Sequence, residues 1–263
     1  MKKVIILLLV MFAVVAGLYA QSRTMTVQEF EHEVWRLTNQ QRAKYSLPLL
    51  SYDEGLADLA RYHSRNMLQR SFFAHKDHQG FEVAQRQKRY YPGLVVSSIG
   101  ENLGKFTNST KVFTPREVVT GWMNSPSHRE NILNPEYTHL GVGLTISGST
   151  MYATQNFATP LVKMRSRLPQ SLDQSKKYRL SFDYLAPQPR ERLNCTLIYP
   201  DPQKAYKISD KQEMVGAQPL KLEWKSQSSF DLLVPFLAGT GEYQLCFGFD
   251  GGYYPEGIPI KVK

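Results

Sequence analysis

The chain changes its periodicity at Pro160, and that change restricts it to a mixed architecture. From Thr26 to about Ala158, apolar residues recur at helical spacing between loops, and all six histidines of the chain lie in this stretch. Beyond Pro160 a polar, basic connection, LVKMRSRLPQSLDQSKK, leads into short alternating segments: YRLSFDYL, LNCTLIYP, KLEWKS, SFDLLVPF and EYQLCFGFD. Proline and glycine punctuate them at the intervals of a β-sandwich. The expected fold class is therefore α+β. Its parts are a leader over residues 1–20, a helix-and-sheet domain over 26–160, a linker over 161–175, and a small all-β sandwich domain over 176–263. No internal repeat or low-complexity tract interrupts this plan.

The helices of the first part mark their own starts. Thr26 to Glu29, Ser51 to Glu54 and Thr114 to Glu117 each place a hydroxyl three residues before a glutamate, the reciprocal capping box, and Pro115 adds a proline at the first helical position. Phe30, Val34 and Leu37 form one stripe; Leu56, Leu59, Ala60, His63 and Met67 form another. HLGVGLTISGSTMYATQNFA reads as two strands joined around Ser147-Gly148-Ser149. Helices wrapped on a small sheet give an α/β/α layered domain.

Lys2 and Lys3, an apolar run from Val4 to Val15 and the small-residue end at Ala20 predict a secretory signal peptide cut after Ala20, with an uncleaved anchor as the alternative. Losing Lys2 and Lys3 takes the formal charge from +9 to +7. Such a surface suits acidic walls, anionic lipid headgroups or polysaccharide. It does not point to nucleic acid, because no Lys/Arg cluster interleaved with aromatics occurs. The two cysteines, Cys195 and Cys246, lie in the last third of the chain. In an oxidising compartment they are expected to form a disulfide; two buried thiols are the alternative.

His63 falls on an apolar stripe and reads as a core histidine with one ring nitrogen bonded to backbone or water. His75 ends QRSFFAHKD in a loop that lets its ring turn back over a surface, whereas His78 sits among polar neighbours and reads as solvated. His32 and His139 show no partner in the sequence. His128 follows Ser125-Pro126-Ser127 in the first turn of a short helix, where the positive end of the helix dipole keeps imidazole neutral. Glu101 stands between glycines in SSIGENLG, and YATQNFA alternates polar side chains along a strand. A loop histidine, this glutamate and a first-turn histidine are candidates to converge on one cleft.

In their order these blocks resemble the CAP superfamily of cysteine-rich secretory proteins, antigen 5 and pathogenesis-related proteins, in its bacterial, cysteine-free form. The resemblance is carried by TNQQRAKYSLPLLSYDEGLADLARYHSRNM, SFFAH, GENLG, VVTGWMNSPSHRENILNPEYTHLGVGL and YATQNFA, from about Val27 to Phe157. It implies an α/β/α sandwich whose cleft carries two histidines and two glutamates able to hold a divalent metal such as zinc. His75 and His128 match the histidines and Glu101 the first glutamate; the second glutamate position is Ser125 here. The metal ligands so implied are His75 and His128, with Glu101 reaching the ion through water.

The favoured function is a secreted, periplasmic or cell-surface binding module, not an enzyme, whose cleft at His75, Glu101, Ser125 and His128 engages a lipid, glycan, peptide or partner protein. Cell-wall and host-surface components are among the expected partners, and membrane association is compatible with the charge. The alternatives are a metal-assisted hydrolase at His75, Glu101 and His128, and a structural envelope protein. Neither an HExxH helix nor a Gly-x-Ser-x-Gly elbow is present. The second domain resembles immunoglobulin-like domains in architecture only, since Tyr243 stands three residues before Cys246.

Overall fold

The computed structural model describes residues 25–168, 172–174, 176–209 and 212–263. The leader expected over residues 1–20 lies outside them. Among the described residues, the α-helices α1 (Val27–Lys44), α2 (Glu54–Arg70), α3 (Val83–Tyr90), α4 (Pro115–Asn124) and α5 (Pro126–Leu133) surround the strands β1 (Ser51–Tyr52), β2 (Leu94–Thr107), β3 (His139–Ser147) and β4 (Thr150–Met164). Thr26 and Thr114 cap α1 and α4 with both halves of the capping box in place. Ser51 does not cap α2: it is paired in β1, and the Asp53 carboxylate accepts from the Leu56 N–H instead. The helix α5 likewise begins two residues earlier than a Ser127 cap requires, with Ser125 as N-cap and Pro126 opening the helix.

β4 is the spine of the sheet. It pairs antiparallel with β2 on one side and β3 on the other, and β3 carries β1 in parallel. β3 serves two layers at once because its side chains alternate. Leu140, Val142 and Leu144 join Phe30, Val34, Leu37 and Trp122 in one buried cluster. Gly141 and Gly143 face α2, where a β-carbon would stand 2.1 Å from the Ala57 nitrogen and 2.0 Å from the Arg61 nitrogen. Only a strand without side chains at these two places lets the helix backbone settle on the sheet. Trp122 is 1% exposed, and its Nε1 donates to the Leu103 carbonyl at 3.0 Å.

The first sheet does not stop at Pro160. Residues 161–164, assigned to the linker from composition, complete β4, because Leu161 and Val162 are apolar side chains buried in the C-terminal cluster. β5 (Lys177–Tyr184) pairs with this end of β4, and β11 (Ser229–Pro235) and β10 (Leu222–Trp224) continue the same sheet. A second sheet runs in the order β13 (Ile258–Val262), β12 (Gly241–Phe249), β6 (Leu193–Ile198), β9 (Ala217–Leu220), and β7 (Ala205–Ser209) pairs with β8 (Gln212–Val215). Phe182, Phe230, Leu232, Leu245 and Phe247 share one buried cluster that also takes in Val95 of β2. Tyr243 is fully buried; its hydroxyl donates to the Gly239 carbonyl at 2.9 Å and accepts from the Ala238 N–H at 2.8 Å, pinning the loop before β12.

The expected Cys195–Cys246 disulfide is corrected: both cysteines are free and buried. Register gives the reason. Cys195 lies opposite Phe247 and Cys246 opposite Thr196, so the two side chains leave neighbouring strands on opposite faces of one sheet. Thiols whose Cβ vectors diverge cannot bridge without backbone movement. Burial pushes both thiols up, Cys195 well above the usual thiol range. Thiol labelling of the unreduced protein is expected to find two reactive cysteines after denaturation and slow reaction before it; no reactive thiol after denaturation would restore the bridge.

Candidate functional site

The centre of the site is an ion pair buried beneath a loop. Glu101 lies on β2 opposite Asn156 of β4, and its side chain is only 2% exposed. One carboxylate oxygen, Oε2, accepts from the Arg86 guanidinium, which α3 supplies and which is fully buried. The same guanidinium donates to the carbonyls of His75 at 2.6 Å and Phe81 at 2.7 Å, so it closes the loop between α2 and α3. Asp77 shapes that loop from within, its Oδ1 accepting from the Gln79 and Phe81 N–H groups at 2.8 and 2.9 Å.

His75 stands at the rim. Its Nδ1 donates to Glu101 Oε1 at 2.8 Å, and its side chain is 59% exposed. The hydrogen bond to Glu101 raises its pKa above the usual imidazole value against a smaller opposing effect of burial. With Nδ1 committed, Nε2 is the nitrogen it presents to a ligand. His63 lies below, fully buried, with Nε2 donating to the Ala74 carbonyl at 3.0 Å; burial keeps its ring neutral by lowering its pKa. It is the core histidine expected from its stripe.

His128 sits in the first turn of α5, half-buried, and its pKa is lowered by burial first and by the nearby His75 second. Amide side chains hold its helix to the strand that carries Glu101. Asn102 Nδ2 donates to the His128 carbonyl at 3.0 Å and to Gln155 Oε1 at 3.1 Å, while Asn131 Nδ2 donates to Asn102 Oδ1 at 2.9 Å. The structure thus brings His75, Glu101 and His128 to one place. Ser125 is the hinge residue between α4 and α5; among the described residues no hydrogen bond joins its hydroxyl to His75, Glu101 or His128. Arg86, Asn102, Asn131 and Gln155 were absent from the candidate set. Asn102 and Asn131 stand beside residues of GENLG and HRENIL that were singled out; Arg86 carries no signal distinguishing it from its basic neighbours.

The two imidazoles should titrate apart. Ring resonances followed by NMR are expected to give His75 a midpoint above about 6.5 and His128 one below it. His75's raised pKa contributes stability fully present below about pH 6.5 and lost as pH rises through its folded value, and solvent screening keeps that contribution small. His128's lowered pKa has the opposite sign, contributing stability present above about 6.5 and lost as pH falls through its folded value. Glu101→Gln should return His75 toward the ordinary value; an unmoved midpoint would remove Glu101 as the cause.

A zinc site at His75 and His128, with Glu101 through water, does not fit these residues. Both carboxylate oxygens of Glu101 are engaged, by Arg86 and His75, and position 125 offers a hydroxyl in place of a second carboxylate. Among the described residues no group of three or more His, Cys, Asp or Glu side chains converges to hold a metal. Two imidazoles remain, fewer than the three or four protein ligands of zinc sites. The sequence reading missed the guanidinium that satisfies the glutamate.

Residues 35–157 match the family model described as CAP, the cysteine-rich secretory protein family. This part of the chain is a CAP domain. Two curated relatives from Bacillus subtilis are similar to it: the uncharacterized protein YkwD, 39% identical over 52% of this chain and 49% of its own, and the uncharacterized membrane protein YlbC, 32% identical over 48% of this chain and 34% of its own. The chain thus spans half or less of the length of these relatives. Among solved structures, an extracellular SCP-domain protein from Bacillus anthracis aligns at 29% identity over 52% of this chain and 45% of its own, with a TM-score of 0.43. Among the described residues no helix is long and apolar enough to cross a membrane.

Proposed function

We propose that the protein is a secreted or envelope-associated interaction module. Its CAP domain binds a ligand at the face formed by His75 and His128, without turnover, and the strands from Lys177 onward act as a β-sandwich that extends the surface. The reading rests above all on Glu101. A general base must reach the proton it removes; this carboxylate is 2% exposed and its two oxygens already accept from Arg86 and His75. The leftover chemistry is recognition: an exposed imidazole oriented through Nδ1, with Nε2 free to meet a hydroxyl, carboxylate or phosphate, beside a more buried neutral imidazole. Secretion is supported by the basic start, apolar run and small-residue end of residues 1–20.

The test is a titration of the purified protein with soluble peptidoglycan fragments and, separately, with short-chain phosphatidylglycerol, following the ring signals of His75 and His128 and the probe by mass spectrometry. One probe is expected to shift both rings, to lose affinity in His75→Ala, and to be recovered intact. Consumption of the probe by the wild type and not by His75→Ala would overturn the non-catalytic reading. Mass analysis of the protein from culture medium should give a chain starting at Gln21; an intact leader would instead place the protein at the membrane as an anchored module.

A further inference from the structure

A crevice of about 440 Å³ lies far from the His75 loop in sequence, entirely among the C-terminal strands. Lys177 of β5, Lys204 before β7 and Lys221 between β9 and β10 all reach it, and among the described residues no aspartate or glutamate lines it. All three lysines are exposed, and none has an ion-pair partner among the described residues. The contrast with the next cation on the same sheet face is informative. There Arg179 is neutralised by Glu223 at 2.6 Å and Asp231 at 3.1 Å. Cations left unpaired around a concavity cost repulsion in the free protein and are relieved by an anion.

Apart from Gln218 and the Tyr199 hydroxyl, which are bonded to each other at 2.6 Å, the other side chains lining the crevice are largely apolar. Tyr206 lines it, and Leu233 and Leu237 border it at 39% and 59% exposure, unusual for leucines on strands and loops with a full core beneath. Leu237 is held out by structure: the next two residues are pinned by the Tyr243 hydroxyl, and Phe236 beside it is fully buried. Lysine stems that lie along apolar surface with their ammonium groups in water, a tyrosine and projecting leucines together match the boundary between headgroups and acyl chains.

We propose that this crevice is a docking site for the anionic headgroup surface of a phospholipid membrane, the three lysines meeting phosphates and Leu237 entering the acyl boundary. A polyanionic glycan would use the lysines but has no use for the leucines. The site is independent of the cleft at His75 and stands whether or not that cleft binds a ligand.

The experiment is cosedimentation of the full chain with vesicles of mixed phosphatidylglycerol and phosphatidylcholine against vesicles of phosphatidylcholine alone. The apolar run at residues 4–15 contributes equally to every variant. The wild type should prefer the anionic vesicles, and the triple variant Lys177→Gln, Lys204→Gln, Lys221→Gln should lose that preference roughly a hundred-fold, since each juxtamembrane lysine contributes about a fivefold factor. A second triple variant with the same charge change in the CAP domain, Lys44→Gln, Lys76→Gln, Lys111→Gln, should bind as the wild type does. Leu237→Ser should weaken binding to anionic vesicles about tenfold, the order expected for one inserted leucine. Equal losses in the two triple variants would reduce the effect to net charge and overturn the site. Full displacement by heparin together with no effect of Leu237→Ser would overturn it in favour of an anionic polymer. Circular dichroism of each variant separates a binding loss from misfolding.

Discussion

Arg42→Met is expected to destabilise the protein by roughly 3–5 kcal/mol, measured as a lowered midpoint in urea unfolding at constant slope. Arg42 lies on α1 with no exposed surface. Its guanidinium donates to the carbonyls of Pro48 at 2.8 Å, Ile132 at 2.9 Å, Asn134 at 2.7 Å and Tyr137 at 3.3 Å. Methionine fills much of the volume and donates nothing, so four carbonyl acceptors lose their partner, two of them, Ile132 and Tyr137, at buried contacts. A buried acceptor left unsatisfied costs about 1–3 kcal/mol, and the four costs do not add fully because the segment after α5 can relax toward water. Arg42→Lys keeps the charge but not the planar fork, and should recover only part of the loss. The consequence reaches the site, because Ile132 and Asn134 end the helix that carries His128. A variant of unchanged stability would show that α5 is held by its asparagines and its apolar face alone.

Arg42 also shows where the sequence stops being informative. Positions that act through local geometry were legible. Thr26 and Thr114 cap their helices as their spacing to glutamate requires, and the turn at Gly148-Ser149 joins β3 to β4 where the glycine, at φ of 56°, takes a left-handed conformation. Glu101, His75 and His128 were legible as a set because their flanking residues are ordered as in the CAP family. Positions that act over long sequence separation were not. Arg42 and Arg86 drew no notice, since nothing in a single sequence distinguishes a guanidinium that collects distant carbonyls from one in water. The cysteines failed for a related reason: their number and compartment argued for a bridge, while the pairing register that forbids it is set by strands that meet only in the folded chain. The alternation around Cys246, out of phase with Leu245 and Phe247, already carried that information.

Arg86→Met should be the most damaging change in the CAP domain's site, costing about 3–5 kcal/mol at neutral pH, because it leaves the buried Glu101 carboxylate without its counter-charge. The pair Arg86→Met, Glu101→Gln removes both charges and should recover a large part of the stability, as replacing a whole buried ion pair usually does. Recovery would not restore the site. A glutamine oxygen still accepts from His75 Nδ1, yet carries no charge to hold the imidazolium, so the His75 midpoint should fall back to about 6.5 while the fold survives. Unfolding curves at several pH values and the His75 titration together close the cycle. If the double variant is as unstable as Arg86→Met alone, then Arg86 matters through the carbonyls of His75 and Phe81 and not through Glu101, and the ion pair is incidental to the site.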